Sequence, residues 1–373
     1  MLLVGRSSFI AYVPRLWAKG RSFDPSSWRS WRLVSTGPSL SHKALTDPEN
    51  IGERQQGVNF DTLGSWNNRL ELPILVEESI KRGKPIPQIP LHKVGCASLL
   101  GRRKNNEDRL IKTQLSDNLL LFGVFDGHCG DLASEFTCVS ISDHINFWLQ
   151  KTQDLKEVLT HSFTDINNAL TRHLRYYHMN GDFFNSGTTA TVCLLRDSTE
   201  LVVAHVGDSR AVLCRGGKAI RMTTDHHPDD RDEAIRVKEA GGTVVADSLG
   251  RCLVNGRLTM TRSIGDVELK AAGVTAIPEV TCREIKHGKD AFMVLITDGI
   301  SFVMNDQELV DIVSCCEVPS EAAILITDQA LQFGSDDNAT AVVVPFGAWG
   351  KYQRSTASIP YSLGRNFSGS RYR

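Results

Sequence analysis

The apolar run LLLFGVF (119–125) ends on Asp126-Gly127-His128-Cys129-Gly130. A carboxylate, an imidazole and a thiol directly after a β-type run offer two different chemistries. Cys129 would act as a nucleophile through its thiolate, whereas Asp126 would hold a hard cation through oxygen. A thiolate that attacks phosphate needs an arginine six residues on, with small residues between them whose amides cradle the anion. Six residues past Cys129 stands Glu135. Cys96 and Arg102 have the spacing, but Leu99 and Leu100 fill the interval and the stretch reads as strand. The thiol reading fails.

The acid reading gains from repetition. The run AFMVLIT (291–297) leads to Asp298-Gly299, GSDDNATAVVV (334–344) sets Asp336-Asp337 just before a strand, and Glu107-Asp108 follow GCASLLG in GRRKNNEDR (101–109). Any one of these is ordinary turn chemistry. Together they predict carboxylates converging at the strand ends of one core, where uncompensated like charge is costly. Mg²⁺ or Mn²⁺ removes that cost, because both take oxygen ligands and bridge carboxylates. Two such ions suit activation of a water for in-line attack on a phosphoryl group. Glycine after the aspartate lets a backbone carbonyl come close to a ligand. Arg102 and Arg103 stand just ahead of Glu107, and a guanidinium grips phosphate by two parallel bonds. His128 is placed to protonate a leaving alkoxide. The chain has neither G-x-x-x-x-G-K-[ST] nor G-x-G-x-x-G, so nucleotide-driven and dinucleotide chemistry have no support.

Strands are expected over Gly95–Gly101, Asn118–Phe125, Thr188–Leu195, Leu201–Val206, Ala211–Cys214, Ala291–Thr297 and Ala339–Val344. Helices are expected over Asp131–Leu149, Leu155–Tyr176, Asp229–Ala240, Asp306–Cys315 and Ser320–Phe333. Many short strands with a few long helices predict antiparallel sheets covered by helices, an α+β layered domain. Residues 94–346 are read as that domain, and 47–93 as a leader laid on its surface. Residues 347–373 carry five Lys/Arg, no acid and many Ser, and read as a largely disordered basic tail.

Eight motifs in order, GRRKNNEDR, VFDGHCG, SGTTATV, VGDSRAVL, TTDHHPDD, NGRLTMTRSIGD, LITDGI and SDDNATAVVV, make the chain resemble the type-2C metal-dependent serine/threonine protein phosphatases from about Gly95 to Phe346. The resemblance implies two stacked antiparallel β-sheets flanked by helices. It implies two Mn²⁺ or Mg²⁺ ions, with Asp126 bridging them, Gly127 contributing its carbonyl, Asp298 and Asp337 holding one and Glu107 the other. Arg103 is similar to the family's phosphate-binding arginine, His128 to its general acid, and Asp225 to its ligand for a third, looser ion. The implied mechanism is single-step attack of an activated water without a phosphoenzyme. Two residues depart from the pattern. Cys129 stands where the family has Gly, and Ser301-Phe302 stand where Trp-Asp is usual, which removes one ligand of the third ion.

Residues 1–46 carry seven Lys/Arg and one Asp among Ser, Leu and Trp, which fits a mitochondrial transit peptide, and leave 35 basic against 42 acidic residues in the remainder. An acidic domain gives no footprint for nucleic acid. No run reaches the 18 apolar residues of a membrane span. Nine scattered cysteines with no C-x-x-C pair predict mostly buried free thiols, as in the mitochondrial matrix. The leader GSWNNRLELPILVEESIKRGKPIPQIPLHKVGCAS and the close VPFGAWGKY are similar to the mitochondrial branch of the family that acts on the E1α subunit of the branched-chain α-keto acid dehydrogenase complex. A monomer acting on that phosphoprotein is the expectation. A phosphoprotein-binding domain without catalysis, a phosphatase of another matrix protein, and a metal nuclease or small-molecule phosphoesterase stay open as alternatives.

Overall fold

The computed structural model describes residues 86–179 and 185–352, all within the unit Asn67–Arg373. The expected transit segment, residues 47–85 of the leader and the tail past Tyr352 lie outside them. Among the described residues fifteen strands run in chain order: β1 (Gly95–Leu99), β2 (Arg109–Ser116), β3 (Leu119–Phe125), β4 (Gly127–His128), β5 (Gly187–Thr188), β6 (Ala190–Arg196), β7 (Glu200–Val206), β8 (Arg210–Arg215), β9 (Lys218–Arg221), β10 (Val244–Ala246), β11 (Cys252–Val254), β12 (Ile264–Gly265), β13 (Glu279–Glu284), β14 (Asp290–Ile296) and β15 (Ala339–Pro345). The helices are α1 (Leu132–Leu149), α2 (Leu155–Met179), α3 (Arg231–Glu239), α4 (Asp298–Ser301), α5 (Asp306–Val313) and α6 (Pro319–Gln332).

Two five-stranded antiparallel sheets, ordered β1-β15-β14-β8-β9 and β13-β7-β6-β3-β2, form the body. Phe122, Val124, Leu213, Met293, Leu295, Val342 and Val344 fill the space between them. On the outer face of the second sheet, Leu155, Val158, Leu159, Phe163, Ile166 and Leu170 of α2 recur at helical spacing and are buried with α1. On the outer face of the first, α5 and α6 cover Val212, Phe292, Val294 and Val343. The result is helix on sheet on sheet on helix, as expected. Each fully buried Phe or Leu contributes about 1.5–3 kcal/mol, so these three interfaces carry the fold.

Local signals explain the helix starts. Asn305 caps α5, its side chain accepting from the Gln307 and Glu308 amides while Glu308 reaches back to the Asn305 amide. Pro319 opens α6 at a position where its missing N–H costs nothing. Strands β2 and β13 escape the sequence reading because both lie at the edge of their sheet and carry polar residues on the open face. Ile89, from the stretch read as leader, is buried with Val94 between the sheets, and Ala348 and Trp349, just past residue 346, are buried against α5 and α6. All nine cysteines are free, but only Cys193, Cys214 and Cys316 are buried, and Cys129 and Cys282 are exposed. Among the described residues no helix is long and apolar enough to cross a membrane.

Candidate active site

Strands β3 and β14, one from each sheet, end on Asp126 and Asp298, and β15 begins just after Asp337. Asp126 is braced at its backbone: its amide donates to Thr189 Oγ1 at 3.1 Å, and its carbonyl accepts from the Thr189 amide at 2.8 Å and Thr188 Oγ1 at 3.0 Å. Thr189 Oγ1 is in turn 2.7 Å from Ser209 Oγ. The SGTT and GDSR motifs therefore act beneath the site as hydrogen-bonding supports.

Asn338 ties the loop carrying Arg103 and Glu107 to the start of β15. Its Nδ2 donates to the Leu100 and Asn105 carbonyls at 2.8 and 3.2 Å, and its Oδ1 accepts from the Glu107 amide at 2.9 Å. Gly127 has to be bare, since a Cβ there would lie 2.6 Å from the Glu107 carbonyl oxygen and 2.7 Å from Ser134 Oγ. The Glu107 carboxylate accepts from the Gly130 amide at 3.3 Å, and its charge bears on His128.

The electrostatics are those of crowded acids. Burial first, then the charges of Asp298, Asp108 and Asp208, pushes Asp126 well above the usual carboxylate range. Burial, with the charges of Asp208 and Asp337, pushes Asp298 up to about 8. The two carboxyls bear on each other in a buried place, so a second negative charge on the pair is costly unless a cation or a proton meets it. Burial lifts Asp108 to about 6 in spite of hydrogen bonds from Thr340 and Thr297. Arg103 Nη2 meets Asp337 Oδ2 at 2.5 Å.

Among the described residues, no three Asp, Glu, His or Cys side chains are spaced as a closed cation cage. The acids instead use one another and Arg103. Their chemistry nevertheless fits a hard divalent ion: the donors are oxygens, the site is short of positive charge, and the buried Asp108 Oδ1 and Asp208 Oδ1 have no hydrogen-bond partner.

His128 contacts the site differently. Its Nε2 lies 2.9 Å from both carboxylate oxygens of Asp266. Burial works to lower its pKa, but the Asp266 hydrogen bond and the charges of Asp266, Asp208 and Glu107 outweigh it and hold the imidazolium above its ordinary value. For Cys129, burial and the carboxylates of Asp266 and Glu107 push the thiol up, the opposite of what a nucleophile needs.

Asp126, Asp298 and Asp337 thus come together, Glu107 borders them, and Arg103 reaches in from the loop. Asp225 is gripped by Arg210 at 2.6–3.1 Å with Arg221 at 3.7 Å, and its charge bears on Asp208. Asp208 in turn presses on Asp126 and Asp298. Asp208 had a signal available: it follows the apolar run LVVAHV across Gly207, the same punctuation that marks Asp126 and Asp298.

Residues 93–339 match the family described as protein phosphatase 2C. The chain belongs to that family. It is a serine/threonine protein phosphatase of the metal-dependent kind. It is 49% identical over 312 residues to "Protein phosphatase 1K, mitochondrial" of Xenopus laevis, covering 84% of this chain and 83% of that one. It is 36% identical over 241 residues to "Protein phosphatase 2C homolog 1" of Saccharomyces cerevisiae, covering 60% and 80%. A solved serine-threonine phosphatase 2C from Toxoplasma gondii, 23% identical, superposes with a TM-score of 0.61 over 68% of this chain and 94% of that one, and speaks for the fold.

One departure from the family has a structural consequence. Cys129 sits at φ 57, the left-handed region where a Cβ is strained. Cys129→Gly is expected to stabilise the protein by about 1 kcal/mol. The measurement is the midpoint of urea unfolding, which should rise with an unchanged slope.

Proposed function

We propose that this phosphatase hydrolyses phosphoserine and phosphothreonine with two divalent ions, in the mitochondrial matrix, on the E1α subunit of the branched-chain α-keto acid dehydrogenase complex. The observation that carries the chemistry is the meeting of Asp126, Asp298 and Asp337 at one end of the sandwich with two unpartnered carboxylate oxygens beside them. Asp126, the Gly127 carbonyl, Asp298, Asp337 and Glu107 would hold the ions, with Asp208 better placed than Asp225 for a third. Bound there, a pair of Mn²⁺ or Mg²⁺ ions supplies an acidified water and neutralises charge on the phosphoryl group. Arg103 is free to exchange Asp337 for the substrate phosphate, since both partners are on a solvent-exposed edge. His128 donates a proton to the departing serine or threonine oxygen. The location rests on the name of the Xenopus relative and on the basic, Ser-rich composition of residues 1–46.

The test is dephosphorylation of a mitochondrial extract by the purified protein, with and without chelator, read by phosphosite mass spectrometry. The E1α site should be lost first and only with metal present. Loss of other sites ahead of it would reassign the substrate, and an inert, folded protein with Mn²⁺ would remove the catalytic reading. The strained Cys129 supports a second reading, a phosphoprotein-binding domain without catalysis. On that reading Cys129→Gly creates activity that the natural chain lacks.

A further inference from the structure

Strands β12, β5 and β4 form a third sheet of two residues each, too short to contribute much to a core. What it holds is specific. His128 pairs with Gly187, Gly187 pairs with Gly265, and Asp266 follows Gly265 directly, so three distant segments deliver an imidazole and a carboxylate to each other. A Cβ on the middle residue, Gly187, would lie 2.2 Å from Asp266 Oδ2 and 2.4 Å from His128 Nε2. The central strand therefore has to be bare for the pair to meet. Asp266 is buried and sits at φ 45, a strained backbone for a residue with a side chain. Its far side is fastened as well: Ser263 Oγ donates to Asp266 Oδ2 at 2.5 Å, and Lys270 Nζ donates to the Ser263 carbonyl at 2.6 Å.

We infer that Asp266, held by Ser263 and Lys270, is a positioning residue that fixes His128 through Nε2 so that Nδ1 is the nitrogen presented to the leaving oxygen of the substrate. The inference rests on the proposed role of His128 as proton donor. An imidazolium has one N–H on each ring nitrogen. The Nε2–H is taken by Asp266, whose anion also supports the positive ring, and the Nδ1–H remains for the substrate. In the step itself, a water oxygen forms a bond to phosphorus while the bond from phosphorus to the serine or threonine oxygen breaks. The electron pair stays on that oxygen, which takes the Nδ1 proton and leaves as an alcohol. The water keeps one hydrogen on the new phosphate oxygen, and its other proton restores the imidazolium. Without Asp266 the ring is free to turn, and the proton is no longer aimed.

The experiment compares two substrates in the full chain with saturating Mn²⁺. A phosphothreonine peptide leaves as a basic alkoxide that needs the proton, whereas p-nitrophenyl phosphate leaves as a stable phenolate that needs it little. Asp266→Asn should lower the ratio of kcat on the peptide to kcat on p-nitrophenyl phosphate by about 10- to 100-fold, within the range that general acid catalysis supplies. His128→Ala should lower the same ratio, and adding Asp266→Asn to it should lower the ratio no further. Ser263→Ala, which loosens Asp266 without touching His128, should lower the ratio by a smaller factor and covers the case of a poorly folded Asp266 variant. Equal losses on both substrates in Asp266→Asn, or a further loss in the double variant, would overturn the inference while leaving His128 as donor. An unchanged ratio in His128→Ala would overturn both.

Discussion

Asp126→Asn is expected to lower kcat/KM on a phosphothreonine peptide by roughly three orders of magnitude, about 4 kcal/mol of transition-state stabilisation, and to leave the metal-free protein at least as stable as before. The two halves of that result have one cause. Asp126 is buried and pressed by Asp298, Asp108 and Asp208, so its charge is unwelcome unless a cation meets it. Asparagine keeps the shape and removes the charge. The metal-free fold then loses a repulsion, while the bound ions lose the carboxylate that the proposed site uses most. Thermal melting with and without Mn²⁺, set beside the kinetics, checks both halves. A variant that keeps more than a tenth of the activity would count against the role assigned to Asp126. One that melts far below the natural protein without metal would show that the side chain is structural.

The second large effect is the pH dependence of stability after chelation. A carboxyl whose folded pKa lies above its unfolded one binds more protons in the folded state between those two values, so stability falls as pH rises through the interval. Asp298, pushed up to about 8, and Asp126, pushed up as well, set that behaviour here. His128, also held above its ordinary value, has the same sign: its contribution is present at low pH and lost as pH rises. Below pH 6.5 the buried His205 and His226, lowered to about 4 and about 2, act in the opposite direction, because they must take up protons on unfolding. Lys270, lowered to about 8, also acts in the opposite direction near and above that pH, so the clean window is about pH 6.5 to 7.5. Across it the chelated protein should lose a few kcal/mol on raising the pH, and saturating Mn²⁺ should abolish the loss by making the ionised carboxylates the favoured form. Urea unfolding at four pH values, with chelator and with Mn²⁺, reads it directly. A flat or rising profile in chelator would mean that the acids are not crowded in solution.

How far the site can be read from the chain depends on how each residue is carried. Asp126 and Asp298 are visible because each terminates a long apolar run, where a carboxylate has no packing reason to stand. The same logic applies to Asp208, which the resemblance passes over in favour of Asp225. Only coordinates reveal that Arg210 reaches from β8 to claim Asp225. Asp266 is of a different kind. Its neighbours form a strand of two residues, and its contact to His128 spans 138 positions, so neither periodicity nor local turn chemistry marks it. The layered α+β fold follows from buried strands with unbroken apolar runs such as β14, whereas β2 and β13 pair through backbones and show half-polar sequences. Cys129 stands out by departing from the glycine of the family pattern, and its positive φ gives the reason: the turn wants a residue without a side chain.

The most direct measurement is a crystal structure of the protein soaked in Mn²⁺, with anomalous scattering collected at the manganese edge. Two peaks bounded by Asp126, with Asp298 and Asp337 on one and Glu107 on the other, are the expected result. Manganese density away from Asp126, or none at concentrations that support activity, would contradict the account.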